Sequence, residues 1–155
     1  MNPSFQELVE SLDPKLRDLI ESRPARYADL PLRMPQRGIY LFSEGTKDLY
    51  VGRTNRLRAR LRGHCAPGST HLTAAFAFRI ARLETGQTKA SYRREGSRAA
   101  LVKDAVFGSA FTRARERLRS INIRYVEEVD PIRQTLLEVY VAVVLKTPFN
   151  DFENH

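Results

Sequence analysis

Two tyrosines ten residues apart, Tyr40 and Tyr50, stand in short runs rich in aliphatic and aromatic side chains, "GIYLFS" and "DLYVG". Runs of this kind on either side of "SEGTKD" read as the two strands of a hairpin, 38–43 and 48–52. Register decides whether the phenols meet, because a slip of one residue exchanges the two faces of a strand. If opposed residue numbers sum to 90, Ile39 faces Val51 and Leu41 faces Leu49 on an aliphatic face, and Tyr40 meets Tyr50 on the other. A sum of 91 mixes aliphatic and polar groups on both faces, so the even register is expected, with an odd loop or a bulge near Gly45. Adjacent phenols could serve proton chemistry or stabilise the sheet as a cross-strand aromatic pair.

Glu138 is the sharpest single position. From Thr135 to Leu145 it is the one charged residue, and an uncompensated carboxylate in an apolar helix is costly. It is expected to be bound to arginine, protonated, or holding a metal ion; as a hard oxygen ligand it suits Mg2+, which is held by one or two carboxylates and keeps several waters. After the hairpin, Arg56, Arg60 and His64 recur every four residues beside Leu57 and Leu61. That spacing makes a stripe on one helix, either a solvated basic face or a set for phosphate contact and proton shuttling. Asn150, after Pro148, reads by itself as a turn residue. Cys65 is the lone cysteine; it can close no disulfide within the chain, and packing is the expected role.

The elements that must position these residues follow from periodicity. Residues 3–23 read as one broken or two short helices, the second starting at Asp13 and Pro14, and residues 24–36 as a proline-rich extended connector. A helix is expected from Thr54 or Asn55 to His64, a second from Ser69 or Thr70 to Gly86, and a polar loop over 87–97. Residues 97–120 read as helix with a break near Gly108, and "INIRYVEEV" as a third strand. The helix 131–145 is apolar almost all round and is therefore expected to be buried. The fold class expected is α+β: a small three-stranded antiparallel sheet flanked by helices, with extra N-terminal helices and an enlarged helical middle region.

With 155 residues, 42% hydrophobic and 28% charged, the composition is ordinary for a globular domain. The charge is not ordinary: 26 basic against 18 acidic residues give +8, and 21 of the 26 are arginine, whose fork suits phosphate oxygens. A nucleic-acid partner explains this, and so does codon bias in a GC-rich genome. No stretch is long and apolar enough to span a membrane. The start, "MNPSFQELVESLDPK", is acidic where a signal peptide is basic, so a cytoplasmic location is expected. The arginines of "YRREGSR" and "TRARERLRS" could widen a nucleic-acid footprint or be simply solvated.

Together these residues resemble a known family. "GIY" at 38–40, "YVG" at 50–52, Arg60 in the following helix, His64 four later, and a late Glu138 followed by Asn150 are similar in order and character to the GIY-YIG nuclease pattern. The resemblance covers roughly 35–65 and 131–151, leaving 1–34 as an N-terminal helical extension to a domain at 35–155, with 66–120 as a helical elaboration. It implies a DNA endonuclease with one divalent metal, Mg2+ or Mn2+, held by Glu138. It further implies Tyr40 as the base taking a water proton, Tyr50 and His64 as its relay partners, Arg60 with Arg53 nearby stabilising charge, and Asn150 positioning Glu138 or the backbone around it. Arg53, Arg56 and His71 are the additional DNA-binding candidates. DNA rather than RNA is the expected partner, no membrane is involved, and the chain is expected to be a monomer or weak homodimer. The alternative is a non-catalytic nucleic-acid-binding module that keeps the fold; Glu138 argues against it, because phosphate binding gains nothing from a buried carboxylate.

Overall fold

In a computed structural model, which describes residues 1–87 and 96–153, Gly45 adopts φ +59° and the chain reverses in two residues between Glu44 and Lys47. The strands it joins are β1 (Gly38–Glu44) and β2 (Lys47–Thr54). So tight a turn sets Ser43 opposite Asp48, and one additional residue in β2 then bulges. Beyond the bulge Phe42 faces Tyr50, Leu41 faces Val51 and Tyr40 faces Gly52. The register is thus two residues from the expected one, and Tyr40 lies opposite Gly52 rather than Tyr50. An even shift leaves the faces intact: Ile39, Leu41 and Val51 share one face, and Tyr40, Phe42 and Tyr50 the other. The bulge restores the parity that a two-residue turn alone would have broken.

β3 (Asn122–Glu127) pairs antiparallel with the far side of β1, giving the order β2-β1-β3 and an α+β fold. The chain divides into two units, and the division falls within α3 (Leu57–Cys65). The first unit, Met1–Ala59 with Ile121–Asn150, holds the sheet. Its core joins Ile39, Leu41 and Val51 to Leu12, Leu16 and Leu19 of α2 (Leu12–Glu21) and to Leu137, Val141 and Ala142 of α7 (Pro131–Leu145). α1 (Pro3–Glu10) precedes α2, capped by the Asn2 side chain on the Ser4 and Phe5 N–H groups. The N-terminal segment is therefore two helices, and the second begins at Leu12. The connector 24–36 contains a short 3-10 turn (Tyr27–Asp29) and a bridge from Ala25 to Ile123.

α7 starts at Pro131, with the Asp130 side chain accepting from the Arg133 N–H at 2.7 Å. The expectation that it is buried all round is corrected. Its inner side meets the sheet, whereas Ile132, Val139 and Val143 are 62%, 40% and 66% exposed. One sheet face can cover one side of a helix, and among the described residues its outer stripe is left to solvent.

The second unit, described over residues 60–87, 96–120 and 151–153, is helical: the rest of α3, then α4 (Ala75–Thr85), α5 (Arg98–Lys103) and α6 (Ala105–Ser120). α4 starts six residues after Ser69, because the backbone of Thr73 and Ala74 turns onto the Thr70 carbonyl first. The break expected near Gly108 lies instead at Asp104, whose extended backbone ends α5 and whose carboxylate caps α6 at the Phe107 N–H, 2.9 Å away. Phe78 of α4 packs on Phe107 and Phe111 of α6, with ring centroids 5.0 and 5.9 Å apart. The basic run of α6 is not simply solvated. Arg113 pairs with Glu84, Arg115 donates to the Ser69 carbonyl and Arg119 to the Cys65 carbonyl at 3.2 Å. Most of the polar loop expected over 87–97, with Arg93 and Arg94, lies outside the described residues.

Candidate functional site

The "YVG" glycine seats the first tyrosine. A Cβ at Gly52 would overlap the Tyr40 phenol, so only a residue without one lets the ring lie across β2. Tyr40 is 1% exposed. Tyr50, half-buried on the same face, stands with its ring centroid 6.3 Å away and tilted by 51°, and Phe42 meets Tyr40 edge-on at 5.9 Å. The two phenols are neighbours along one face, as the sequence predicts, although diagonally rather than directly opposed.

The next residue of β2 faces the other way. Arg53 shares the face of Val51, and its Nε donates to Glu138 Oε2 at 3.1 Å. The arginine side chain is 46% exposed and the glutamate 21%. Of the three states open to Glu138, the ion pair with arginine is the one observed. Its burial is partial, and an ion pair at that depth is worth little by itself.

The carboxylate can be tested as a metal ligand on its donor chemistry. Among the described residues no group of three or more His, Cys, Asp and Glu side chains could hold a metal ion. A single carboxylate fits Mg2+ or Mn2+ when substrate phosphates supply further oxygens, and does not amount to a ready-made protein cage. Glu138 therefore fits an ion that arrives with its substrate.

Asn150 is not an ordinary turn residue. Its Nδ2 donates to the Val51 carbonyl at 2.8 Å, and its Oδ1 accepts from the Val51 N–H at 2.9 Å. Thr147 Oγ1 donates to the same Oδ1 at 2.7 Å, and the Phe149 N–H donates to the Leu49 carbonyl at 3.1 Å. β2 is the edge of the sheet, and the segment after α7 covers that edge with a side-chain amide in place of a strand.

On α3 the expected stripe of three does not form. Arg56 precedes the helix, exposed, its N–H donating to Thr54 Oγ1 at 3.0 Å. Arg60 is half-buried. His64 joins Leu57 and Leu61 on the buried side of the helix and is fully enclosed. Burial, helped by the Arg60 charge, pulls its pKa down to about 3, so it is neutral at physiological pH. A neutral imidazole can relay a proton but contributes no cation to a phosphate. Cys65 is buried and its thiol is pushed up to about 12 by burial, against the opposing charge of Arg119; it packs, as expected. His71 is partly exposed in the turn before α4.

Thus Tyr40 lies with Tyr50, Glu138 with Arg53, and Asn150 with Val51, all of them at β2. The sequence reading missed two supporting residues, Gly52 as the seat of Tyr40 and Thr147 as the anchor of Asn150. Gly52 was in plain view inside "YVG", and the T-x-x-N spacing of Thr147 to Asn150 is the signal for the other. Compared with known proteins, the chain matches no family model, no curated protein and no solved structure.

Proposed function

We propose that this chain is a metal-dependent DNA endonuclease that hydrolyses phosphodiester bonds, of the GIY-YIG type that its motifs resemble. The observation that carries the reading is the landing place of two distant residues. Glu138 and Asn150, 85 and 99 positions from their partners in the chain, come down on Arg53 and Val51, the two residues flanking Gly52. Two late residues of the motif thereby reach the strand that carries "YVG", Glu138 on the face of Val51 and Arg53, while Tyr40 and Tyr50 share the opposite face.

Hydrolysis needs a water stripped of a proton, charge stabilisation on the phosphate, and help for the departing oxygen. Tyr40 takes the water proton at its phenol oxygen. A phenol of ordinary pKa near 10 does this with cationic neighbours or a proton acceptor at hand, and Tyr50 is the nearest second phenol. Arg53 meets phosphate oxygens once substrate draws it from Glu138, and places two parallel N–H donors on them. When bound with substrate by Glu138, Mg2+ or Mn2+ supplies Lewis-acid stabilisation of charge on the phosphate. Asn150 fixes the backbone of β2 between the tyrosine and the arginine. The roles of Arg60 and His64 rest on the resemblance alone; enclosed and held neutral, His64 is a poor proton acceptor.

Glu138→Gln keeps the size of the side chain and removes its charge. Nicking of plasmid DNA should disappear while DNA binding persists; cleavage at the wild-type rate would remove the metal role. A second reading has one observation in its favour. The Arg53–Glu138 pair is complete without metal, as it would be in a DNA-binding module that does not cut. That reading requires the wild-type protein to be inactive with both Mg2+ and Mn2+.

A further inference from the structure

Arginines in the second unit divide into two kinds. Those of α6 are committed: Arg113 to Glu84, Arg115 and Arg119 to backbone carbonyls. Around Phe78, Arg79 has a carboxylate partner, and among the described residues Arg82 and Arg98 have none. Arg79 and Arg82 lie three residues apart on one side of α4, and Arg98 opens α5. The guanidinium carbons of Arg82 and Arg98 stand 5.0 and 4.6 Å from the Phe78 ring centroid, so the two cations lie within about 10 Å of each other. The ring itself is 1% exposed and packed on Phe107 and Phe111. It is a fixed platform, and the two arginines are laid on it in advance of any ligand.

Charge compensation for this cluster is incomplete. Arg79 Nη1 pairs with Asp151 Oδ2 at 3.0 Å. Among the described residues no carboxylate pairs with Arg82 or Arg98, and the buried Nε–H groups of Arg79 and Arg82 find no acceptor. Burial and the charges of Arg98 and Arg79 together lower the pKa of Arg82, which is the mark of cations crowded by packing rather than drawn together by an anion. Among the described residues, the three guanidiniums thus have one carboxylate, on Arg79, and the charges of Arg82 and Arg98 are left without a paired anion.

We propose that Arg79, Arg82 and Arg98 form a phosphate-binding patch that grips consecutive phosphates of a DNA strand. Guanidinium forks match phosphate oxygens in pairs. A separation of at most about 10 Å suits two neighbouring phosphates of one strand, which are offset by about 3.4 Å along the axis and by the helical turn around it. The inference deepens the nuclease reading and rests on it for the choice of DNA as polyanion, yet it requires neither metal nor cleavage.

Binding of a fluorescent DNA duplex, measured by anisotropy without divalent metal over a salt series, tests the patch. The double variant Arg82→Gln/Arg98→Gln should bind about tenfold more weakly, and the slope of log K against log salt should flatten by about 2, near 0.9 for each phosphate no longer neutralised. Arg113→Gln, which removes equal charge per residue from a committed arginine of the same unit, should change binding little. Affinity and slope like wild type in the double variant, or an equal loss per charge in Arg113→Gln, would overturn the patch. Because removing Arg82 and Arg98 also strips Phe78 of its cover, a second measurement uses the wild-type protein. Phenylglyoxal should modify Arg82 and Arg98 in the free protein and be blocked at both by bound duplex; equal modification with and without DNA overturns the proposal. A chain that binds DNA through these residues but cuts nothing contradicts the nuclease reading alone.

Discussion

Asn150 satisfies both backbone groups of Val51, donating from Nδ2 to the carbonyl at 2.8 Å and accepting at Oδ1 from the N–H at 2.9 Å. One side chain thus replaces the two hydrogen bonds that a neighbouring strand would have made, and ties the segment after α7 to the strand that carries Tyr50, Gly52 and Arg53. Asn150→Ala should therefore lower stability by about 1–3 kcal/mol, the usual cost of leaving partly buried backbone groups unpaired. Urea unfolding of the two proteins measures it. A change within about 0.5 kcal/mol, the range of an indifferent surface substitution, would mean the edge is held by something else.

Gly52 and Tyr40 share one volume. Gly52→Ala pushes a methyl group into the phenol, and overpacking of this kind costs about 1–3 kcal/mol. Tyr40→Phe, by contrast, keeps the ring and should leave the melting temperature close to wild type while lowering the cleavage rate. The pair of variants separates fold from chemistry. If Tyr40→Phe cuts as fast as wild type, the base is another group.

His64 makes acid stability predictable in sign. Its folded pKa, about 3, lies below the ordinary 6.5, so the unfolded chain takes up a proton that the folded one refuses. Stability is fully present above pH 6.5 and is lost as pH falls from there toward 3, by at most about 1.4 kcal/mol per pH unit. Asp13, held below its usual 3.8 by its hydrogen bonds from Arg17 and Tyr140, adds its loss only at lower pH. Stability measured from pH 7 to 4.5 should fall more steeply in wild type than in His64→Gln. Parallel curves would show that His64 titrates normally.

Cys65 should be silent toward thiol reagents. It is fully buried, and with a pKa near 12 almost none is thiolate at pH 8. One equivalent of thiol should appear in guanidinium chloride and almost none in the native protein; rapid native labelling would show that α3 opens.

Much of the fold was legible because it follows from local patterns. The hairpin, the third strand, Pro131 at the start of α7 and the two N-terminal helices are written in alternation, helical spacing and caps, whereas the packing of α2 on the sheet core, where an extension was expected, was not. Parity of the hairpin was legible too, and so was the shared face of Tyr40 and Tyr50. The register was not, because the position of a bulge depends on how a two-residue turn at Gly45 is reconciled with the core, and either even sum keeps the same residues inside. The solvent-exposed stripe of α7 escaped for a similar reason: an apolar residue announces that it can be buried, and what covers it is decided by the rest of the molecule. His64 looked accessible from its four-residue spacing with Arg60, but its three-residue spacing from Leu61 turned it inward. Glu138 stood out by composition alone, whereas its partner Arg53 was one of many arginines. Asn150 was recognised through resemblance, and its grip on Val51 could be learned only in three dimensions.

The central claim is that the groups gathered at β2 cut DNA. Supercoiled plasmid incubated with the wild-type protein and Mg2+ or Mn2+ should be converted to nicked or linear forms, and Glu138→Gln, binding the same DNA with similar affinity, should leave it supercoiled. Supercoiled plasmid untouched by wild type under both ions, or nicked equally by Glu138→Gln, would contradict the account.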